Sequence, residues 1–200
     1  MADKKLQTED DPFVLFRDWY DQASNAEIND PNAICVATLN PDGSLSARMV
    51  LLKSWDARGF VFYTNFESRK GEALLRNPVA AICIHWKSLR KQIRIEGTVE
   101  IVTKEEADTY FQSRKRGSQI GAWASLQSQK LDSRETLEKR VAELEKHYDG
   151  QDIPRPAHWS GFRVIPKRIE FWNEGEFRLH DRFVFEKNGT DGWHKNRLYP

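Results

Sequence analysis

The feature that most constrains this chain is its punctuation: nine short runs rich in β-branched and aromatic residues recur along it, separated by turn-forming residues. Residues 33–39, 46–52, 59–64, 79–85, 91–102, 161–164, 168–172, 182–187 and 193–198 have strand texture. The first two flank Asn40-Pro41-Asp42-Gly43, in which Pro presets φ and Gly accepts a positive φ, so the pair predicts a hairpin. Helical signals are fewer. Asp11-Pro12 caps a segment in which Phe13, Phe16 and Tyr20 recur at near-helical spacing to about Asn25, and Ser68 opens a short helix to about Arg76. Thr103-Lys104-Glu105-Glu106 is a capping box opening a helix to about Arg114, and Asp132 or Ser133 opens another through Leu137, Val141, Leu144 and Tyr148. Many short strands with interposed helices predict a mainly β, α+β chain built on a closed or nearly closed antiparallel barrel.

Composition narrows the functional classes. With 200 residues, 39% of them hydrophobic and 30% charged, the chain suits one soluble domain with one core. The domain is expected over 11–200, after a polar, mobile tail at 1–10. A net charge of +1 gives no whole-molecule attraction to nucleic acid or an anionic membrane, so any anion site has to be local. Cys35 and Cys83 lie in apolar runs without metal-ligand spacing, so reduced core cysteines and no metal are expected. Neither a signal peptide nor a membrane-spanning run is apparent, which makes the cytoplasm the expected compartment.

Four groups of residues are harder to explain as scaffold. Ser68-Arg69-Lys70-Gly71 puts two cations in the first turn of a helix, where the dipole disfavours them; a bound phosphate would reverse the penalty, and a solvated basic turn would look the same in sequence. In Arg178-Leu179-His180-Asp181-Arg182, alternate residues share one face if the segment is extended, with Asp181 turned away, so three cations could face an anion or an electron-rich ring, or form a charged strand edge. Trp172 just upstream could pack a planar ligand or the core. Arg48 and Lys53 bracket Met49-Val50-Leu51-Leu52 on opposite faces of an ideal strand, so that sharing a ligand needs a bend. Tyr110 and Arg114 lie four apart on one helical face, with Ser118 just beyond the expected helix end; the trio suits a phosphate monoester or ordinary surface packing.

Several of these stretches together resemble a known family. Arg48-Met49-Val50-Leu51-Leu52-Lys53, Phe62-Tyr63-Thr64-Asn65, Ser68-Arg69-Lys70, Ser118-Gln119-Ile120-Gly121-Ala122-Trp123, and Phe171-Trp172 leading to Arg178-Leu179-His180-Asp181-Arg182 resemble the pyridoxamine 5'-phosphate oxidases in content, order and interval. The similarity runs from about Asp11 to Arg197-Leu198-Tyr199-Pro200. It implies a homodimer of FMN-binding split barrels of Greek-key type, with the flavin held where two subunits meet. Matched position by position, Arg48, Met49, Val50, Leu51, Leu52, Lys53, Tyr63, Thr64, Arg69, Lys70, Gln92, Gln127, Ser128, Trp172 and Arg182 fall on flavin-binding positions. Lys53, Tyr110, Arg114, Ser118, Arg178 and His180 fall on substrate-binding positions, the first four at the phosphate and the last two, as the catalytic pair, beside the pyridine ring.

The implied reaction is oxidation of pyridoxine 5'-phosphate or pyridoxamine 5'-phosphate by dioxygen to pyridoxal 5'-phosphate and hydrogen peroxide, the last step of vitamin B6 cofactor synthesis and salvage. A related split-barrel flavin reductase and a non-catalytic flavin- or pyridoxal-phosphate-binding protein are the alternatives. Two positions depart from the family pattern: few residues precede Asp11 to serve as an N-terminal lid, and Lys115 stands where proline is common.

Overall fold

The computed structural model describes residues 4–189 and 192–200. Its centre is a nine-stranded sheet in which every pairing is antiparallel. The strands are β1 (Ala33–Leu39), β2 (Leu45–Leu51), β3 (Ser54–Asp56), β4 (Gly59–Asn65), β5 (Val79–Trp86), β6 (Lys91–Ile101), β7 (Trp159–Asn173), β8 (Asp181–Lys187) and β9 (Trp193–Leu198). They follow the order β2-β1-β5-β6-β7-β4-β3, with β8 on β7 and β9 on β8. The two ends of that path adjoin in sequence through Leu52-Lys53, and the Lys53 N–H donates to the Val61 carbonyl at 2.9 Å, so the sheet curls back on itself into the expected barrel.

The longest strand explains how the barrel splits. Along one edge β7 pairs with β4 from Trp159 to Val164 and then with β8 from Arg168 to Asn173, while its other edge is taken by β6. Pro166 lies in the gap between those two partners. It has no N–H to donate, so it is tolerated where the edge is unpaired, and its presence makes the sequence read as two strands where the chain forms one. Opposite it the β6 register shifts between Glu96 and Gly97. A Cβ on Gly97 would lie 2.0 Å from the Ile165 carbonyl oxygen, so this bulge requires glycine. Strand β3 escapes the sequence reading because three residues are too short to show a period.

Among the described residues six α-helices dress the barrel: α1 (Lys4–Thr8), α2 (Pro12–Ala26), α3 (Arg69–Arg76), α4 (Lys104–Ser113), α5 (Arg116–Ala124) and α6 (Arg134–His147). Caps at Asp11, Ser68, Thr103 and Ser133 form as the sequence suggests, including the reciprocal Thr103–Glu106 box. The apolar stripe of α2 buries Leu15, Phe16, Trp19 and Ala23 in the barrel core, with the Phe16 ring 4.9 Å from Phe60 and Trp19 5.1 Å from Phe171. Each such aromatic contributes about 1.5–3 kcal/mol by leaving water. Leu6 of α1 joins the same core, and Lys195 Nζ donates to the Gln7 and Glu9 carbonyls, so part of the segment expected as a tail is a packed helix.

Helix α5 is a further unpredicted element. It has two glycines, and its N-cap residue Lys115 makes no side-chain capping bond, so it lacks a start signal; it is held by burial of Gln119, Ile120 and Ala124. A second correction concerns residues 178–182. Rather than being extended throughout, the chain makes a 3-10 turn at Glu176–Arg178 with Phe177 at φ 54° and Arg178 at φ 64°, and β8 begins only at Asp181. The alternation that would put Arg178, His180 and Arg182 on one strand face is therefore absent. Asp181 does turn to another partner, Arg197.

Candidate active site

Where β4 ends beside the start of β7, the α3 N-terminus and the α4–α5 junction enclose a cleft of about 630 Å³. Its charge is one-sided. Lys53, Lys70, Arg114 and Lys115 line it, and no Asp or Glu does among the described residues. Of the predicted site residues, Met49, Val50, Leu51, Lys53, Tyr63, Thr64, Lys70, Tyr110, Arg114, Ser118 and Gln127 meet here. Lys53, in the link between β2 and β3, lines the cleft, whereas Arg48 does not.

One end of the cleft is a cradle at the start of α3. Ser68 caps the helix by accepting from the Gly71 N–H, and no side chain could be added to Gly71, whose Cβ would lie 2.4 Å from the Phe66 carbonyl oxygen. Lys70 Nζ folds back to donate to Thr64 Oγ1 at 2.8 Å, Gln127 Oε1 at 2.9 Å and Ser68 Oγ at 3.2 Å. Burial, with help from the Arg48 charge, lowers its pKa from 10.5 to about 8. The Arg69 N–H donates to Ser128 Oγ, which brings the loop after α5 to the same turn. Arg48, on β2, donates to the Val36 carbonyl, Thr38 Oγ1 and Ser46 Oγ, and burial followed by repulsion from Arg69 depresses its pKa. Arg48 thus sits close enough to repel both Arg69 and Lys70, while the Asp42 carboxylate lies within electrostatic range of Arg69.

The other end is built on aromatic rings. Tyr63 stacks on Tyr110 at 4.0 Å and on Trp159 at 5.3 Å. Arg114 is the C-cap of α4 with extended backbone, and its guanidinium lies over the Trp159 ring at 4.7 Å. Its Nη1 is buried without a hydrogen-bond partner, and burial pushes its pKa down. Ser118 lies beyond the end of α4, as expected, and stands in the first turn of α5.

The remaining predicted residues are elsewhere. Gln92, Trp172 and Arg182 form one row across β6, β7 and β8, as direct cross-strand neighbours. The Trp172 ring is 4.6 Å from His180, whose Nδ1 accepts from the Gly175 N–H, so that its neutral ring carries the proton on Nε2. Arg182 is a fork on the buried Glu170, at 3.0 and 2.8 Å, and also donates to the Tyr199 carbonyl. Arg178 is exposed. Leu52 points into the core and its backbone is bonded to Asn32. From Ser160, beside Thr64, to Trp172 is twelve residues of β7, roughly 40 Å of extended strand.

Sequence reasoning missed Trp159, Asn65 and Ser125 in the cleft, and gave Lys115 no role there. Nothing in their spacing marks them: Trp159 reaches the site because β7 pairs with β4 opposite Asn65. No helix among the described residues is long and apolar enough to cross a membrane.

Comparison with known proteins bears on the whole chain. A family model described as pyridoxamine 5'-phosphate oxidase matches residues 20–148, and one described as the pyridoxine 5'-phosphate oxidase C-terminal dimerisation region matches residues 159–200. A pyridoxine/pyridoxamine 5'-phosphate oxidase of Mesorhizobium japonicum is 56% identical over 205 residues, covering 100% of both chains. One from Myxococcus xanthus is 59% identical over 190 residues, covering 95% of this chain and 92% of the relative. Among solved structures, PhzG from Burkholderia lata 383, in complex with tetrahydrophenazine-1-carboxylic acid, superposes with a TM-score of 0.93 at 31% identity, covering 100% of this chain and 98% of that one. A pyridoxamine 5'-phosphate oxidase-related, FMN binding protein from Nostoc punctiforme shares the fold, with a TM-score of 0.77 at 15% identity over 95% of this chain and 98% of that one.

Proposed function

The chain belongs to the pyridoxamine 5'-phosphate oxidase family of oxidoreductases, and we propose that it uses FMN to oxidise pyridoxamine 5'-phosphate and pyridoxine 5'-phosphate to pyridoxal 5'-phosphate in the cytoplasm. Each turnover consumes one dioxygen and yields one hydrogen peroxide; the amine additionally takes up water and releases ammonia. The observation that carries this reading is the cleft with four cations and no carboxylate among its described lining residues. A cofactor phosphate and a substrate phosphate are two anions that would relieve two separate electrostatic strains.

The residues present fit that division. Arg48 repels both Arg69 and Lys70 at the α3 N-terminus, whose first-turn amides also favour an anion, and this end suits the FMN phosphate. Thr64, Gln127 and Ser128 would share its oxygens, and Met49, Val50, Leu51, Lys53 and Tyr63 line the cleft beyond. The orphaned Arg114 Nη1, with Lys53, Tyr110, Ser118 and the uncapped start of α5, suits the substrate phosphate. When bound, FMN supplies the hydride acceptor for the substrate's 4' carbon and the route of electrons to dioxygen. The protein's share is orientation: remote binding energy at the substrate phosphate holds the pyridine ring in place.

The second patch completes the site through a partner subunit. Gln92, Trp172, Arg182, Arg178 and His180 lie too far along β7 to reach a ligand seated on Lys70 of the same chain, and four of the five fall in the C-terminal region, with Gln92 beside them in the cross-strand row. The matched description of residues 159–200 as a dimerisation region supports a homodimer that brings one protomer's patch to its partner's cleft. Trp172 and the row it heads would back the flavin ring. His180 would offer its Nε2–H, and Arg178 its guanidinium, beside the pyridine ring. Aerobic assay with added FMN should give pyridoxal 5'-phosphate and peroxide in equal amounts from both substrates. Tight FMN binding without turnover would make the chain a binding protein, and turnover only with a reduced nicotinamide donor would make it a reductase.

A further inference from the structure

Arginines that grip phosphate are commonly aimed by a carboxylate, which holds the guanidinium but also competes with the ligand. Arg114 has no carboxylate within ion-pair distance among the described residues, and one of its nitrogens is buried without a partner. Something else must hold it. Its backbone has left the helix, with φ −74° and ψ 148°, so helical geometry does not aim the side chain. The contacts that remain are aromatic: the Trp159 ring at 4.7 Å and, farther off, Phe111 at 5.7 Å.

Trp159 is itself immobilised from four sides. It is 7% exposed, lies opposite Asn65 in the β4–β7 ladder, stacks at 9° on Tyr63, and takes Phe111 edge-on at 5.3 Å. Arg155 Nη1 donates to its carbonyl at 2.7 Å, and its N–H donates to the Pro156 carbonyl at 3.0 Å. A rigid π-face attracts the guanidinium without using its hydrogen-bond donors. It therefore leaves Nη1 free for an incoming oxygen, which a carboxylate would not.

We infer that Trp159 is a positioning residue for substrate recognition, its ring holding the Arg114 guanidinium with an unspent donor directed to the phosphate. The inference rests on the reading of Arg114 as a phosphate ligand. Trp159 acts through Arg114, so its loss should tell on binding rather than on the saturated rate.

The test is equilibrium titration of FMN-loaded protein with pyridoxal 5'-phosphate, in wild type, Arg114→Ala, Trp159→Leu and the double variant, together with KM and kcat for pyridoxamine 5'-phosphate. Trp159→Leu should weaken binding about three- to thirtyfold, as expected for loss of a partly desolvated cation–π contact, with kcat within about twofold of wild type because only binding is touched. In the Arg114→Ala background the same change should add less than about twofold, since its partner is already gone. If Trp159→Leu does not fold, Trp159→Phe serves in both backgrounds: its smaller face should weaken binding severalfold beside Arg114 and not at all beside Ala. Equal losses in the two backgrounds, or an unchanged dissociation constant with Arg114 present, would overturn the role of Trp159. An unchanged dissociation constant in Arg114→Ala would instead overturn the assignment of Arg114 to the phosphate.

Discussion

Lys70→Met separates what the cradle does for the fold from what it does for the cofactor. Lys70 is desolvated, donates to three side-chain oxygens and has a pKa of about 8 against an ordinary 10.5. A lysine depressed in this way holds fewer protons folded than unfolded between those two values, so the cofactor-free fold gains stability as pH rises from about 8 toward 10.5. Methionine of similar length removes a strained charge, and the cofactor-free protein should melt at the same or a higher temperature, without that alkaline gain. FMN binding should move the opposite way. Loss of one charge-assisted hydrogen bond, about 1.5–3 kcal/mol, weakens FMN roughly ten- to hundredfold, whereas riboflavin, which lacks the phosphate, should be held equally by both proteins. In wild type the lysine is about nine-tenths charged at pH 7 and about one-tenth at pH 9, so the FMN dissociation constant should rise about tenfold over that interval and stay flat in the variant. Flavin fluorescence quenching reads the affinities and differential scanning calorimetry the stability. Equal losses for FMN and riboflavin, or a wild-type FMN affinity indifferent to pH, would refute a phosphate-binding Lys70.

Three other outcomes are expected. Arg178→Ala should slow anaerobic bleaching of the bound flavin by saturating pyridoxamine 5'-phosphate at least about tenfold, equivalent to roughly 1.4 kcal/mol in the barrier; an unchanged rate with weaker binding would leave Arg178 a substrate holder only. Lys115→Pro should stabilise the protein by about 0.4–1 kcal/mol on thermal melting, because Lys115 already has φ −56° and Arg114 before it has the extended backbone that a following proline demands. Sedimentation should find a dimer with one FMN per chain, and a monomer with full flavin occupancy and activity would dismantle the shared site.

Sequence alone determined the antiparallel barrel and most of its helices, because period-two runs, turn residues and capping side chains are local signals carried within a few residues. It also singled out the two proposed anion sites, since cations at a helix start and a Tyr–Arg–Ser trio are unusual chemistry wherever they fall. Local signals had less to say about α5, whose glycines and uncapped start hide it until Ile120 packs with Phe111, Ile153 and Trp159. They misjudged residues 178–182, where a turn held by the Gly175 N–H on His180 replaces an extended run. What only the tertiary structure decided is which residues share a site. Pairing of β4 with the first half of β7 sets Trp159 beside Tyr63, and the full length of β7 separates Thr64 from Trp172. Such adjacency depends on strand register between segments nearly a hundred residues apart, and no spacing within either segment encodes it.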